Sequence, residues 1–422
     1  MSAQAASQTL AATREGRPAE PRRSTPWRHQ PPVHSPVPLR AFVPAVRQVL
    51  RLAPDPRPAL SALLGEIYGG ERVVLCSSGT AALQVAIRVA AAHAGAPGPV
   101  ALPAFTCYDV ASAAIGAEAS LVLYDVEPSA LAPDLESLER ALRAGARVVV
   151  VSPLYGIPVD WGTIQALCDR YGAVLVEDAA QGHGAAWCGR PIGSLGAISV
   201  LSFGRGKGWT GGKGGALLLR GALADAHARV DVATASALGE AGVIAASLAQ
   251  QVFGRPGLYA LPRAVPWLHL GETRYRPPTP PAPMTRAAAA LLQASKDAAD
   301  REAGRRRANG ELFRARLDGI PGIRVPAAPP QATPGYLRFP VLIRGGAGAL
   351  GPSSLVRRFG IEAGYPRPLS ELAPVRARLA ADPGPLPGAE VLARELVTLP
   401  TSSLVSEAEK HTLLHILHRS RR

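Results

Sequence analysis

Between residues 57 and 219, short apolar runs alternate with longer segments whose apolar positions recur at helical spacing. The runs at 72–76, 100–102, 120–124, 147–151, 173–176, 198–201 and 216–219 have the length and the β-branched content of strands. They show no polar alternation, which marks strands buried on both faces. The segments at 57–68, 81–92, 134–142 and 161–171 read as helices, with Asp134 as a cap. Another helix opens at 104–108 and reaches about Ile115. Strands alternating with helices predict an α/β fold around a mostly parallel sheet.

The pattern changes on both sides of this block. Residues 1 to about 40 are rich in Pro, Arg, Ser and Gln and lack periodicity, so a disordered arm is expected there. The most apolar long region, Val243 to Leu261, is interrupted by Gln250, Gln251, Arg255 and Pro256. It reads as a core or interface helix, not a membrane span. Residues 276–281, Arg-Pro-Pro-Thr-Pro-Pro, form a stiff linker. A long amphipathic helix follows at 284–317, then a strand at 336–343, a helix at 354–359 and a last helix at 406–418. The expected organisation is an arm at 1–40, a large domain at 41–275 and a smaller C-terminal α/β domain at 276–422.

Polar residues gather where the strands end, which is where open α/β sheets bind ligands. Ser77-Ser78-Gly79-Thr80 joins a buried strand to a helix N-terminus. The free N–H groups there suit an anion, although a plain helix cap by Ser78 or Thr80 accounts for the same residues. Asp178 directly follows a buried strand. It either caps the next turn or faces a cationic group in a site of low dielectric. Gln181 is a donor for a ligand or satisfies loop backbone, and His183 has no metal-type neighbour at useful spacing. Ser202-Phe203 leads into a glycine-rich loop centred on Lys207, followed by Thr210 and Gly214-Gly215. An amine there suits covalent chemistry, whereas the bland reading is a solvated lysine. The Walker A spacing fails for both Lys207 and Lys213. The Gly206/Gly208/Gly211 match to a dinucleotide fingerprint lacks the helix that must follow it.

The formal charge is +14, mostly from scattered arginines with no aromatic-interleaved basic stripe. Nucleic-acid binding is therefore disfavoured, and the charge fits anionic small substrates better. The four cysteines have neither zinc nor C-x-x-C spacing, as expected in a reducing compartment. No early apolar run fits a signal peptide, so a cytoplasmic protein without a membrane partner is expected.

These pieces together resemble the DegT/StrS-type sugar aminotransferases. The resemblance runs through Ser78-Gly79-Thr80-Ala81-Ala82-Leu83, Pro103 with Thr106, and Asp125-Val126-Glu127-Pro128. It continues through Leu154-Tyr155-Gly156, Pro158 and Asp160, then Glu177-Asp178-Ala179-Ala180-Gln181. It ends with Ser202-Phe203, Lys207, Thr210, Gly214-Gly215 and Leu399-Pro400. It implies a fold-type I pyridoxal 5′-phosphate (PLP) enzyme, with a mainly parallel seven-stranded sheet and a small C-terminal α/β domain. On this resemblance Lys207 matches the lysine that forms the Schiff base with the cofactor, and Asp178 the partner of the pyridinium nitrogen. Gln181 matches a residue beside the ring, and Gly79, Thr80 and Ser202 match the phosphate cradle. The resemblance also implies a homodimer with shared active sites. The amino donor would be glutamate, or glutamine, and the acceptor a keto group of a nucleotide-linked sugar. The setting implied is polysaccharide or secondary-metabolite synthesis. The alternative is a catalytically altered member, dehydratase-like or non-catalytic; the dehydratase branch carries histidine where this chain has Lys207. Two departures stand out. Lys213 replaces a glutamate common in the family, and Cys107 stands where an aromatic often stacks on the ring, leaving Phe105 or Tyr108 as candidate substitutes.

Overall fold

The computed structural model describes residues 28–226, 228, 237–265 and 273–419. Seven strands form the main sheet: β1 (Arg72–Cys76), β2 (Val100–Pro103), β3 (Leu121–Tyr124), β4 (Val148–Val151), β5 (Val174–Asp178), β6 (Ile198–Ser202) and β7 (Gly215–Leu219). Their order is β1-β7-β6-β5-β4-β2-β3. Only β7 runs antiparallel to its neighbours; every other pairing is parallel. The carboxyl ends of the other six strands therefore lie along one edge.

The helices explain why the strands carry no polar alternation. Val200 and Leu217 pack toward α3 (Gly79–His93) and α4 (Tyr108–Gly116). Leu201 and Leu218 point the other way, onto α1 (Phe42–Val49) and α2 (Arg57–Tyr68). Farther along the sheet, Val149 and Leu175 pack against α5 (Leu135–Arg143) and α6 (Trp161–Arg170). Asp134 caps α5 as expected, its carboxylate accepting from the Ser137 N–H.

The expected apolar helix at 243–261 is instead two pieces, α7 (Ala237–Phe253) and a single turn, α8 (Ala260–Arg263). Gly254 follows α7, and a Cβ there would lie 2.4 Å from the Gln250 carbonyl oxygen. No helix among the described residues is long and apolar enough to cross a membrane.

The long helix α9 (Arg286–Leu317) is capped by Thr285, which accepts from the Ala288 N–H. Its first half, from Ala287 to Leu292, packs into the core beneath α1 and α2. Phe313 and Leu317 at its far end belong to a second core. The boundary expected at 276 thus separates no two cores, because α9 contributes to both. The second core lies on a four-stranded antiparallel sheet of β8 (Ile323–Arg324), β9 (Phe339–Ile343), β10 (Glu362–Ala363) and β11 (Leu396–Leu399), ordered β8-β9-β11-β10. The helices around it are α10 (Ser353–Arg358), α12 (Pro387–Glu395) and α13 (Glu407–Arg419), whereas the short α11 (Ala373–Arg376) packs on α4.

Residues 28–40 depart from the expected disordered arm. The Gln30 amide donates to the Leu404 carbonyl and to Glu409, and Arg28 pairs with Glu409 at 2.8 Å. Gln251 holds the same segment by donating to the Ser35 carbonyl and accepting from the Val37 N–H. Side-chain partners distant in sequence replace a regular ladder here, so no periodicity announces the order. The rest of the expected arm, 1–27, lies outside the described residues.

Candidate active site

Strand β1 delivers Ser78 in extended geometry, and its hydroxyl accepts from the Ala81 N–H at 3.0 Å. The plain cap is thus supplied by Ser78, which leaves the Thr80 hydroxyl for other use. Gly79 is pressed against the end of β6. A Cβ at 79 would lie 2.6 Å from the Ser202 hydroxyl and 2.5 Å from its Cβ. The first N–H groups of α3 and the Ser202 hydroxyl therefore share one small space, which is an anion cradle by construction.

Asp178 ends β5 and is 8% exposed. Its carboxylate accepts from the Ser152 hydroxyl at 2.8 Å and the Ala180 N–H at 3.1 Å. Burial pushes this carboxyl up, and the Lys207 ammonium is the largest influence pulling it back. Two left-handed residues, Tyr155 and Gly156, turn the chain after β4. The turn lets the Tyr155 N–H donate to the Gln181 side-chain oxygen at 2.9 Å. The Gln181 NH2 donates to the Tyr365 hydroxyl. Gln181 thus satisfies loop backbone, as one of its two readings foresaw, and is locked in place beside the recess.

The lysine loop is closed by Thr210. Its hydroxyl donates to the Phe203 carbonyl and accepts from the Gly212 N–H. Trp209 is buried, donates to the Leu292 carbonyl on α9, and packs edge-on to Phe203. At 208 a Cβ would lie 2.7 Å from the Arg306 guanidinium and 3.0 Å from the His183 Cβ, so glycine keeps the loop close to both. The loop is therefore anchored, and Lys207 projects from it half-buried.

One recess, about 470 Å3 counting its open mouth, brings together all six candidates: Gly79, Thr80, Asp178, Gln181, Ser202 and Lys207. Its wall also includes Thr106, Cys107, Asp109 and Ser152. Burial pushes the Cys107 thiol up to about 11, so it is neutral. Neither Phe105 nor Tyr108 lines this wall, contrary to expectation. Phe105 packs on Tyr365 at 5.3 Å, and the Tyr108 hydroxyl is engaged with the Arg367 backbone. Ser152 and Asp109 were missed from sequence. A serine directly after the buried run 147–151 was the available signal for the first. His183 stays outside, against Trp209 and Arg306, as a neutral imidazole pushed down to about 4.

A family model described as the DegT/DnrJ/EryC1/StrS aminotransferase family matches residues 58–418. The chain belongs to this family. L-glutamine:2-deoxy-scyllo-inosose aminotransferase from Streptomyces kanamyceticus is 37% identical over 145 residues, 34% of each chain. UDP-N-acetyl-3-dehydro-alpha-D-glucosamine 3-aminotransferase from Acidithiobacillus ferrooxidans is 34% identical over 145 residues, 34% of this chain and 39% of that one. The matched stretches span about half or less of the length of the curated relatives. The solved PLP form of Spr1654 from Streptococcus pneumoniae covers 93% of this chain and 98% of that one, with TM-score 0.69 and 19% identity. At that identity the likeness shows the fold.

Proposed function

We propose that the protein is a PLP-dependent aminotransferase that moves an amino group from glutamine or glutamate to a keto group on a sugar or sugar-like ring. The observation that carries this reading is the recess itself, where the Lys207 amine and the buried Asp178 carboxylate stand beside an anion cradle. The residues fit the cofactor. The cradle at Gly79, Thr80 and Ser202 suits its phosphate, and the buried Thr106 hydroxyl on the wall has no hydrogen-bond partner among the described residues. When bound, PLP supplies an aldehyde that captures the donor's nitrogen and a ring that takes up electrons.

This chain's residues do the rest. Asp178, fixed by Ser152 and the Ala180 N–H, would hold a proton on the ring nitrogen through its negative charge. The Lys207 amine would hold the cofactor and would move the proton at the substrate carbon. The named relatives favour glutamine as donor and a ring ketone as acceptor, nucleotide-linked or free. We also read the protein as a homodimer. The recess is open, and no aromatic side chain lines it among the described residues, which leaves room for a second copy to complete it. The four cysteines are all free, in keeping with a cytoplasmic setting, and the pathway class remains polysaccharide or secondary-metabolite synthesis.

Absorbance spectra of wild type and Lys207→Ala, before and after adding glutamine or glutamate, test the reading. A visible band in wild type that bleaches with donor and is missing in Lys207→Ala is expected. A colourless wild type that PLP cannot reconstitute overturns it.

A further inference from the structure

Helix α7 is apolar on its outward face as well as its inward one. Val243 packs into the core, and three of the helix's polar side chains also face the protein. Glu240 is 3% exposed and accepts from the N–H groups of Arg286 and Ala287, at the start of α9. Ser247 is buried, and Gln251 holds residues 35–37. The outward face is apolar: Leu238, Leu248, Val252 and Phe253 are exposed, with Ala241, Ala245 and Ala249 between them. Beyond Gly254, Leu258 and Leu261 continue the exposed surface.

Helix α1 packs alongside α7 and repeats the pattern. Leu39, Val43, Val46 and Leu50 are spaced 4, 3 and 4 residues apart, which places them on one helical stripe. All four are exposed, whereas Phe42, Ala45 and Gln48 are buried. Of the thirteen large hydrophobic side chains that the described residues leave exposed, only Leu135 and Leu355 lie outside α1, α7, α8 and their flanks. Such a concentration marks an interaction surface.

Charge identifies what the surface fits. Arg40, Arg47, Arg51 and Arg255 are exposed in these segments. Residues 39–54 and 241–265 contain no Asp or Glu, and Glu240 is buried. A face of large apolar side chains edged by arginines and free of acids is complementary to anionic headgroups above an acyl layer. A second copy set on the same face would bring arginine against arginine. The face packs on the opposite side of the main sheet from α3 and α4, whose N-termini border the recess. Docking there leaves the recess mouth open.

We propose that the α1–α7–α8 face docks the protein on an anionic lipid bilayer. The helices lie in the interface, with Leu, Val and Phe side chains at the headgroup–acyl boundary and the arginines at lipid phosphates. This goes beyond the transaminase reading and does not depend on it.

Vesicle flotation tests the proposal on the full chain, with phosphatidylcholine vesicles that contain or lack phosphatidylglycerol, at low and high salt. Wild type is expected to float only with phosphatidylglycerol present and to be released by salt. Val252→Glu/Phe253→Glu is expected to abolish flotation. Arg47→Glu/Arg51→Glu is expected to weaken it by roughly fivefold per arginine. All four positions are exposed, so thermal melts are expected to match wild type. Absence of flotation, or flotation unaffected by Val252→Glu/Phe253→Glu, overturns the proposal. So does light scattering in which that variant turns a dimer into a monomer while wild type ignores the vesicles, since the face then belongs to a second copy.

Discussion

The Ser35 hydroxyl donates to the backbone carbonyl of Lys207. Gln251 pins the Ser35 carbonyl and the Val37 N–H, so the bond comes from a fixed support. One hydrogen bond of this kind is worth about 1 kcal/mol. Ser35→Ala is expected to raise deuterium uptake across residues 204–212 and to lower turnover about fivefold, with KM for the donor little changed and Ser35→Thr largely restoring both. Exchange mass spectrometry beside steady-state kinetics checks it.

Gly79→Ala places a methyl group into the Ser202 side chain. The start of α3 must then move off β6, widening the anion cradle. PLP affinity is expected to fall at least ~10-fold while the secondary structure is retained. Equilibrium titration of the apoprotein with PLP, paired with circular dichroism, measures both.

Glu177 is fully buried and accepts from the N–H groups of Gly193, Leu195 and Gly196 and from the Ser199 hydroxyl. It fastens the 193–196 turn to the sheet, one residue before Asp178. Glu177→Gln turns an NH2 toward these donors and is expected to cost about 2–3 kcal/mol of stability, read from denaturant melts at neutral pH.

His183 is buried neutral, pushed down to about 4 by burial first and then by Arg306, against the pull of Asp300. The unfolded chain takes up this proton near pH 6.5, before the folded chain does. The group's stabilising contribution is therefore complete above that pH and is lost as the pH falls from about 6.5 to about 4, by roughly 3 kcal/mol. His183→Gln is expected to flatten that part of a stability-against-pH curve measured by thermal melts.

The main sheet was legible because strands buried on both faces are unbroken apolar runs, as Val148–Val151 shows. The recess was legible where its residues sit at strand ends: Asp178, Ser202, Gly79 and Thr80. What escaped depends on distant partners. Residues 28–40 are ordered by Glu409, Leu404 and Gln251, none near in sequence. The same composition that suggests a loose arm therefore also serves as a strap. Phe105 and Tyr108 stood as candidate substitutes for an aromatic at Cys107. Phe105 instead packs on Tyr365 and Tyr108 on the Arg367 backbone, partners far away in sequence. The outward apolar face of α7 was hidden for a related reason. Gln251 reads as a break in the apolar segment 243–261, yet it is an attachment to the protein, and Glu240, the other attachment, precedes that segment.

Helix α9 has 32 residues, which makes a rod about 48 Å long. One end is set beneath the floor that carries Trp209 and the lysine loop, and the other is embedded in the C-terminal sheet. The C-terminal sheet and the backbone that holds Lys207 are thus mechanically coupled through a single stiff lever.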